Sequence, residues 1–356
     1  MPRRGAGKIL VYGAAGYTGA LIARAAAHAD LPVVIAGRSA EKLGPLGLDL
    51  GFPVRVARLD DRRELERALA GVTVVVNAAG PFSATATPLV EACLAAGVHY
   101  LDISGEVDSF EALSRHDRAA RAAGVMIMPG AGFDVVPSDC LALRVARQVP
   151  GAQRLRIAIT GLDLLSRGSA RTAVEQVGRG VRVRRGGELV TLPEGLLEGT
   201  FDFGAGARPC TCVSWADVVS AFHTTGVPDV EVYFEATPSL RAFQLMGRSV
   251  GMFPPAAAFS RLWLQTLTEA QPPGPSAAER ASRRAVIVAQ AENERGRRAT
   301  ARARVPEAYT FTGICAPALA ARVLEGEVKP GFQTPAGLFG PRLLEAFPEI
   351  SVEDLN

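Results

Sequence analysis

The sequence predicts an α/β protein with two domains: an N-terminal Rossmann domain, which is a doubly wound parallel sheet, and a second α+β domain built on a mixed or antiparallel sheet. Short apolar segments alternate with helical segments up to about residue 128, and a glycine-rich turn follows the first of them. Polar and apolar residues alternate after about Pro150. A chain of 356 residues suits two domains at roughly 150 residues each.

The N-terminal segments carry the pattern of a parallel sheet that is covered on both faces, because the predicted strands are apolar throughout. The predicted strands are Lys8–Tyr12, Val33–Ala36, Val54–Ala57, Val72–Asn77, His99–Ile103 and Val125–Met128. The predicted helices are Thr18–His28, Arg62–Ala70, Pro88–Ala96 and Phe110–Ala123. We therefore expect the first domain to span residues 1–135.

The pattern of the following residues favours strands with one exposed face, joined by tight turns. Predicted strands and hairpins are Arg154–Thr160, Val181–Arg185 with Glu188–Thr191, Val213–Val219, Val230–Ala236, and Ala285–Ala291 with Arg298–Val305. Ser276 and Glu279 have the spacing of a capping box. The apolar stretch Leu240–Gln271 suits either a helical pair in the core or a wall for an apolar substrate. We expect the second domain at residues 136–310, and residues 311–356 as a C-terminal segment that returns to the first domain.

Composition excludes several classes of function. A net charge of +3, without a basic run interleaved with aromatic residues, argues against nucleic acid as a partner. The longest uncharged run, residues 68–90, contains Asn77, Gly80 and Pro81, so we expect no integral membrane span. Five cysteines in a chain of this length indicate a reducing, cytoplasmic location. Cys210 and Cys212 lack further ligands at zinc spacing, and we predict no metal site.

The most informative motif is Gly13-Ala-Ala-Gly16-Tyr17-Thr18-Gly19, directly after the first predicted strand. In such a motif the first glycine allows a sharp turn, the second lets backbone amides approach a pyrophosphate, and the third allows close helix packing. The N-terminus of the helix then presents unsatisfied N–H groups to the phosphates. The alternative is a tight turn without a ligand. The strand–turn–helix context favours dinucleotide binding.

The end of the second strand indicates which dinucleotide is bound. NAD sites usually carry Asp or Glu there, whereas this chain has Arg38 and Ser39, with Lys42 one turn later. An arginine can bind a 2′-phosphate through two N–H groups. We therefore predict NADP(H) as the cofactor, the alternative being that Arg38 is only a solvated loop residue.

Further cofactor contacts are expected at the ends of the third and fourth strands. We expect Asp60 to contact the adenine. The small residues after Asn77 let the chain pass close to the nicotinamide ribose. The full set of predicted cofactor-binding residues is Gly13, Ala15, Gly16, Tyr17, Thr18, Gly19, Arg38, Ser39, Lys42, Asp60, Asn77, Ala78, Gly80 and Pro81.

Two polar segments follow later strands, where ligands of open α/β sheets bind. They are Tyr100-Leu-Asp-Ile-Ser-Gly-Glu106 and Gly132-Phe-Asp-Val-Val-Pro-Ser-Asp139. Ser138 or Asp139 could instead be a helix N-cap. None of the tyrosines has a lysine four residues later, which excludes a short-chain dehydrogenase with a Tyr-x-x-x-Lys pair. Glu106 and Asp134 are the predicted catalytic proton donors, provided that burial raises a carboxyl pKa.

In these segments the chain resembles the saccharopine dehydrogenase-like oxidoreductases, in particular the branch of trans-acting enoyl reductases. Gly168–Thr172 and Gly331–Ala336 also resemble family elements. The resemblance implies an NADP-binding Rossmann domain, a second domain inserted before a C-terminal return, a cofactor cleft between them, and Thr334-Pro335 packed on the first domain.

The resemblance further implies an NADPH-dependent reductase that acts on a C=C (enoyl) or C=N (imine) bond of a small or lipid-like substrate. The predicted substrate contacts are Ser104, Asp134, Arg171 and Thr172. A non-catalytic NADP(H)-binding sensor or adaptor is the alternative, because no acid–base residue is unambiguous. The sequence is compatible with a homodimer and does not establish one.

Overall fold

The computed structural model describes residues 7–251 and 272–355. The chain divides into two compact units. The first extends to Val136 and also contains Tyr309–Leu338, and the second consists of Pro137–Ala308 and Phe339–Asn356. The segment predicted to return to the first domain, residues 311–356, is thus divided between the two units.

The first unit contains a parallel sheet of seven strands in the order β15-β6-β5-β4-β1-β2-β3. These strands are β1 (Lys8–Tyr12), β2 (Val33–Gly37), β3 (Val54–Val56), β4 (Val72–Asn77), β5 (His99–Asp102), β6 (Met126–Met128) and, late in the chain, β15 (Gly331–Phe332). β1, β2 and β4 to β6 are almost completely buried, as their apolar sequences predict. The Rossmann-type sheet is confirmed.

The helices of this unit differ in places from the prediction. They are α1 (Tyr17–His28), α2 (Ala40–Leu50), α3 (Arg62–Leu69), α4 (Phe82–Ala96), α5 (Val107–Ser114), α6 (Asp117–Ala123), α12 (Ala308–Leu324) and α13 (Pro335–Phe339). The sequence did not reveal α2, since Gly44, Pro45 and Gly47 disfavour a helix. The helix predicted at Phe110–Ala123 is two helices, separated at Arg115 and His116.

The second unit contains a mixed sheet of nine strands, in which the order β10-β11-β12-β7-β13-β14-β16 is extended by β8 and β9. The strands are β7 (Ala152–Thr160), β8 (Val181–Arg185), β9 (Glu188–Leu192), β10 (Glu198–Asp202), β11 (Ala207–Val213), β12 (Asp229–Glu235), β13 (Arg284–Asn293), β14 (Arg298–Pro306) and β16 (Ser351–Leu355). β7 and β12 pair in parallel, and the other pairs are antiparallel. The predicted α+β class of this domain is confirmed.

The described helices of the second unit are α7 (Val136–Gln148), which begins at the last residue of the first unit, α8 (Arg167–Gln176), α9 (Asp217–Thr225), α10 (Pro238–Gly251), α11 (Ala277–Ala281) and the 3₁₀ helix Pro341–Ala346. α10 covers the start of the apolar stretch Leu240–Gln271, and residues 252–271 lie outside the described residues. Both predicted hairpins and the capping box of Ser276 and Glu279 are confirmed.

The strand predicted at Val213–Val219 is wrong. β11 ends at Val213, and α9 begins at Asp217. This helix buries consecutive residues from Asp217 to Ala221, so its apolar run resembles a buried strand. Cys210 and Cys212 lie on β11, both buried, as expected for two unrelated strand residues. Within the described ranges, no helix combines the length and the hydropathy needed to cross a bilayer.

Candidate active site

The turn between β1 and α1 requires glycine for steric reasons. Gly13 has φ +82°, and a Cβ at this residue would lie 2.8 Å from the backbone nitrogen of Ala79. A Cβ at Gly19 would lie 2.3 Å from the carbonyl oxygen of Gly13. The two glycines therefore hold the turn close to the neighbouring strand β4 and to helix α1, as the dinucleotide motif demands.

The N-terminus of α1 is open to a ligand. Ala15 and Gly16 are exposed, and Gly16 is the N-cap residue, so no side chain caps the helix. The first turn, which contains Tyr17 and Thr18, carries no acidic residue. The first N–H groups of the helix can therefore bind an anionic group, with the positive end of the helix dipole behind them.

Arg38 extends the site at the end of β2. Its side chain is exposed, and the structure gives it no ion pair among the described residues. Ser39 is the N-cap of α2, with its Oγ accepting a hydrogen bond from the backbone N–H of Lys42 at 3.3 Å. Lys42 is exposed in the first turn of α2. A cation thus occupies the position where an NAD site would carry a carboxylate.

Two further residues near this site, Tyr12 and Arg58, were not among the residues predicted from the sequence. The Tyr12 hydroxyl donates to the carbonyl of Ala57 at 2.9 Å. Burial raises the pKa of Tyr12 to about 12, while the nearby charge of Arg38 lowers that pKa and the charge of Asp60 raises it. Asp60 is highly exposed and lies 3.6 Å from the Arg58 guanidinium. Asp60 is therefore exposed beside Arg58, at the position where the sequence predicts an adenine contact.

Asn77 serves the fold of the site through a buried hydrogen-bond network. Its side chain is fully buried, and its Nδ2 donates to the hydroxyl oxygens of Tyr100 at 3.1 Å and Thr85 at 3.3 Å. Its Oδ1 accepts from the backbone N–H of Ala79 at 3.0 Å. Asn77 thus shapes the loop of Ala78, Gly80 and Pro81, and its own side chain is not presented to a cofactor. The other three residues are partly or fully exposed.

Asp102 continues the network to the ends of β5 and β6. Its Oδ2 accepts from the Tyr100 hydroxyl at 2.9 Å, and its Oδ1 accepts from the N–H and the hydroxyl of Ser104 and from the N–H of Gly130. Burial raises the pKa of Asp102, and these hydrogen bonds oppose the rise. Ser104 is 0% exposed and lies inside this network. Its side chain therefore presents no surface for the predicted substrate contact.

Glu106 caps helix α4. Its Oε1 accepts from the backbone N–H of Phe82 at 3.0 Å and its Oε2 from that of Ser83 at 2.8 Å. This bidentate cap explains why α4 begins at Phe82, six residues before the predicted start at Pro88. Glu106 is 7% exposed. Its carboxylate oxygens accept hydrogen bonds from the start of α4, so the residue has a structural role in addition to the predicted catalytic role.

Asp134 lies next to Glu106 at the same edge of the sheet. Its pKa is raised to about 7, first because the surrounding protein removes it from water, and then because Glu106 and Asp102 are negatively charged neighbours. The residue as a whole is partly buried, and its carboxyl group is surrounded by protein atoms. A carboxyl group with a pKa near neutrality can hold a proton and release it at physiological pH.

The remaining predicted site residues lie elsewhere. Ser138 and Asp139 are inside the first turn of α7, which begins at Val136, so neither is the N-cap. Arg171 and Thr172 lie on α8 in the second unit, whereas the other predicted site residues lie in the first. Over the part of the chain that the structure describes, no group of three or more His, Cys, Asp or Glu side chains could hold a metal ion.

These observations define the class of the first unit: a dinucleotide-binding Rossmann domain whose specificity position carries a cation. Residues 9–128 match the family model of the saccharopine dehydrogenase NADP binding domain. This match covers 120 of the 356 residues and lies within the first unit. The predicted resemblance and the predicted cofactor, NADP(H), are confirmed.

Curated relatives match the same part of the chain. The trans-acting enoyl reductase of Mycobacterium leprae (strain TN) is 34% identical over 149 residues, which cover 40% of this chain and 36% of that protein. A putative trans-acting enoyl reductase of Mycobacterium tuberculosis (strain ATCC 25618 / H37Rv) is 34% identical over 139 residues, covering 37% and 33%. The chain therefore matches about a third of the length of these relatives.

The fold of the whole chain is similar to that of a solved structure, apo saccharopine dehydrogenase (L-Glu forming) from Saccharomyces cerevisiae. The TM-score is 0.65, with 98% of this chain and 100% of that chain covered. At 12% sequence identity the similarity concerns the fold alone. It confirms the predicted combination of a Rossmann domain with a mixed-sheet domain.

Proposed function

We propose that this protein is an NADPH-dependent reductase of a C=C (enoyl) or C=N (imine) bond in a small or lipid-like substrate. The observation that carries the proposal is the position of Asp134. A buried carboxyl group with a pKa of about 7 lies at the carboxyl edge of the same parallel sheet that carries the glycine turn. Ligands of open α/β sheets bind at this edge.

The chain's own residues would bind the cofactor, orient it and supply a proton. The amides at the start of α1 bind the pyrophosphate, and Arg38 binds the 2′-phosphate. Bound NADPH supplies a hydride to one atom of the double bond. Asp134 donates a proton to the other atom, which is carbon in an enoyl group and nitrogen in an imine. Burial of Asp134, and after it the negative charge of Glu106, raises the pKa of Asp134 to about 7, so that part of the population carries the proton at neutral pH.

The enoyl substrate is supported by the names of the mycobacterial relatives, and the imine substrate by the fold of the yeast enzyme alone. Arg171 and Thr172 remain proposed substrate contacts, since the supporting argument is the family resemblance of Gly168–Thr172. A cytoplasmic location is supported by the low cysteine content, five residues in 356, all of them buried. A homodimer remains open, and light scattering of the purified protein would test it.

Deuterium transfer tests the proposed reaction. Purified protein is incubated with NADPH labelled with deuterium at C4, in the two stereochemical forms separately, together with a metabolite extract. We expect one form to label at least one product by one mass unit. The Asp134→Asn variant should lose this transfer while it retains NADPH binding, and Asp108→Asn, which changes an exposed carboxylate on α5, should retain both. Absence of label from both forms would contradict a reductase.

A second candidate, a non-catalytic NADP(H) sensor, is favoured by one observation. Two of the predicted site residues, Ser104 and Glu106, are engaged in hydrogen bonds within the protein, which leaves them fewer groups to offer a substrate. For a sensor, Glu106→Gln and Asp134→Asn should leave the phenotype of a complemented deletion strain intact. Loss of the phenotype with NADPH binding preserved would reject the sensor and favour the enzyme.

A further inference from the structure

The second unit has a cavity of about 220 Å³ over its sheet, where β7, β13 and β14 lie side by side. The strand register sets Arg154 opposite Glu292 and Glu292 opposite Arg298. The next row along the strands is Arg156, Gln290 and Thr300. Six polar side chains from three strands therefore share one face and line one concave space.

The cavity has an excess of positive charge. Three guanidinium groups face a single carboxylate, that of Glu292. Glu292 accepts a hydrogen bond from Arg298 at 2.8 Å, and the pKa of Glu292 is lowered by this bond and by the charges of Arg298, Arg154 and Arg156. The carboxylate is thus fully ionised at neutral pH, and two positive charges remain in excess.

Arg154 and Arg156 differ from other arginines of this sheet in their lack of an ion-pair partner among the described residues. Arg302 pairs with Glu353, Arg284 with Glu349, and Arg208 with Glu235, each at 2.7 to 2.9 Å. Within the described ranges, neither Arg154 nor Arg156 has a carboxylate oxygen within ion-pair distance. Like charges that share a concave surface repel one another, and a bound anion would relieve that repulsion.

Arg156 is also held in place for such a role. Its guanidinium carbon lies 5.8 Å from the centroid of the Phe201 ring, which is 1% exposed. Contact with an aromatic face orients the planar guanidinium and reduces the entropy lost on binding. Beside it, the Gln290 amide and the Thr300 hydroxyl add neutral hydrogen-bond donors.

We infer that this cavity is a binding site for a phosphate group, either inorganic phosphate or the dianion of a small phosphate monoester. The guanidiniums of Arg154 and Arg156, which have no ion-pair partner in the described ranges, supply planar pairs of N–H donors that match the geometry of phosphate oxygens. A volume of 220 Å³ is what roughly seven water molecules occupy in the liquid. This space accommodates a phosphate with a short organic part. The site lies within the second unit and does not depend on the proposed reductase activity.

Calorimetry tests the inference on the full-length protein saturated with NADP⁺, so that added phosphate does not occupy the nucleotide site. Inorganic phosphate and glycerol 3-phosphate are titrated in separate experiments. We expect saturable binding of one equivalent, with a Kd that rises at least about tenfold in Arg156→Gln and in Arg154→Gln, as expected for the loss of charge-assisted hydrogen bonds. Arg304→Gln is the matched control, because Arg304 is exposed on β14 outside the cavity lining.

The outcomes separate the possibilities. Equal binding of the two probes would identify a site for phosphate itself, and tighter binding of glycerol 3-phosphate would identify a monoester site. Since Arg156 contacts Phe201, its substitution could disturb the core, whereas Arg154 is exposed, and circular dichroism checks both variants. The inference is overturned if the wild-type protein shows no saturable binding below about 10 mM, or if Arg154→Gln binds as tightly as Arg304→Gln.

Discussion

The carboxyl group of Asp134 packs directly on the backbone of Gly105. A Cβ at residue 105 would lie 2.7 Å from Asp134 Oδ2 and 3.0 Å from its Cγ. The two residues follow the neighbouring strands β5 and β6, so the contact fixes the carboxyl group at the carboxyl edge of the sheet. Gly105 is therefore required because of this close approach, and the loop after β5 positions the proposed proton donor.

Gly105→Ala should displace the Asp134 carboxyl group, since no side chain fits between the two residues. We expect turnover to fall on the order of a hundredfold, the usual consequence of misplacing a catalytic group by about 1 Å. NADPH affinity should change little, because the glycine turn after β1 is untouched. Gly44→Ala is the control, since a Cβ there meets nothing within 4 Å. Turnover of Gly105→Ala equal to that of Gly44→Ala would show that Asp134 does not act as proposed.

Asp134 should also make the stability of the protein depend on pH. The pKa of Asp134 is about 7 in the folded state, against 3.8 in the unfolded chain, so between these pH values the folded protein binds one more proton than the unfolded chain. The stabilising effect of that proton is complete below pH 3.8 and is lost as the pH rises through 7. The free energy of unfolding should therefore fall, by about 2 kcal/mol from this group, between pH 5 and pH 8.

Urea unfolding at pH 5 and pH 8 measures this effect by comparing the wild-type protein with Asp134→Asn. Asparagine keeps the shape of the protonated side chain and does not titrate. The variant should gain stability relative to the wild type at pH 8 and match it at pH 5. A constant difference between the two proteins across this range would mean that the Asp134 pKa is not raised.

Glu106→Gln should weaken the start of helix α4. A glutamine side chain has one acceptor oxygen, whereas the backbone N–H groups of Phe82 and Ser83 each use one oxygen of Glu106. The loss of one capping bond should cost about 1 to 2 kcal/mol in the free energy of unfolding. Removing the charge of Glu106 should also lower the pKa of Asp134, so the fall in turnover at high pH should begin at a lower pH.

Glu91→Gln is the control for this experiment, because Glu91 is exposed on the same helix. Urea unfolding gives the stability of each variant, and the pH dependence of kcat gives the shift. Should Glu106→Gln leave both quantities at the values of Glu91→Gln, the bidentate cap contributes nothing measurable.

The sequence predicted the parallel sheet because its strands carry the signal themselves. Val72–Asn77 and Lys8–Tyr12 are mostly apolar and match β4 and β1 residue for residue. Local patterns also predicted the two hairpins, since Gly186-Gly187 and Asn293–Gly296 determine turns within a few residues. The site was predictable where a motif dictates backbone geometry, as it does at Gly13 and Gly19.

What the sequence did not reveal depends on contacts between distant residues. The start of α4 is set by Glu106, which lies 24 residues after Phe82 in the chain, and no local pattern signals such a cap. The roles of Asn77 and Ser104 are likewise decided by the network through Tyr100 and Asp102. Side chains that looked available for ligands prove to be buried partners of one another, and the raised pKa of Asp134 likewise results from burial among distant parts of the chain.

Arg38→Ala should change the cofactor preference of the protein. Arg38 is exposed after β2 with no carboxylate paired to it in the described chain, so it is available to the 2′-phosphate. Loss of charge-assisted hydrogen bonds to that phosphate should weaken NADPH binding about ten- to a hundredfold, whereas NADH lacks the phosphate and should bind as before. Fluorescence titration of the two nucleotides measures the ratio, with Arg63→Ala, an exposed arginine on α3, as the control. If the ratio of the two affinities is the same in Arg38→Ala and Arg63→Ala, another group selects the phosphorylated nucleotide, and Arg58 at the end of β3 is then the next residue to substitute.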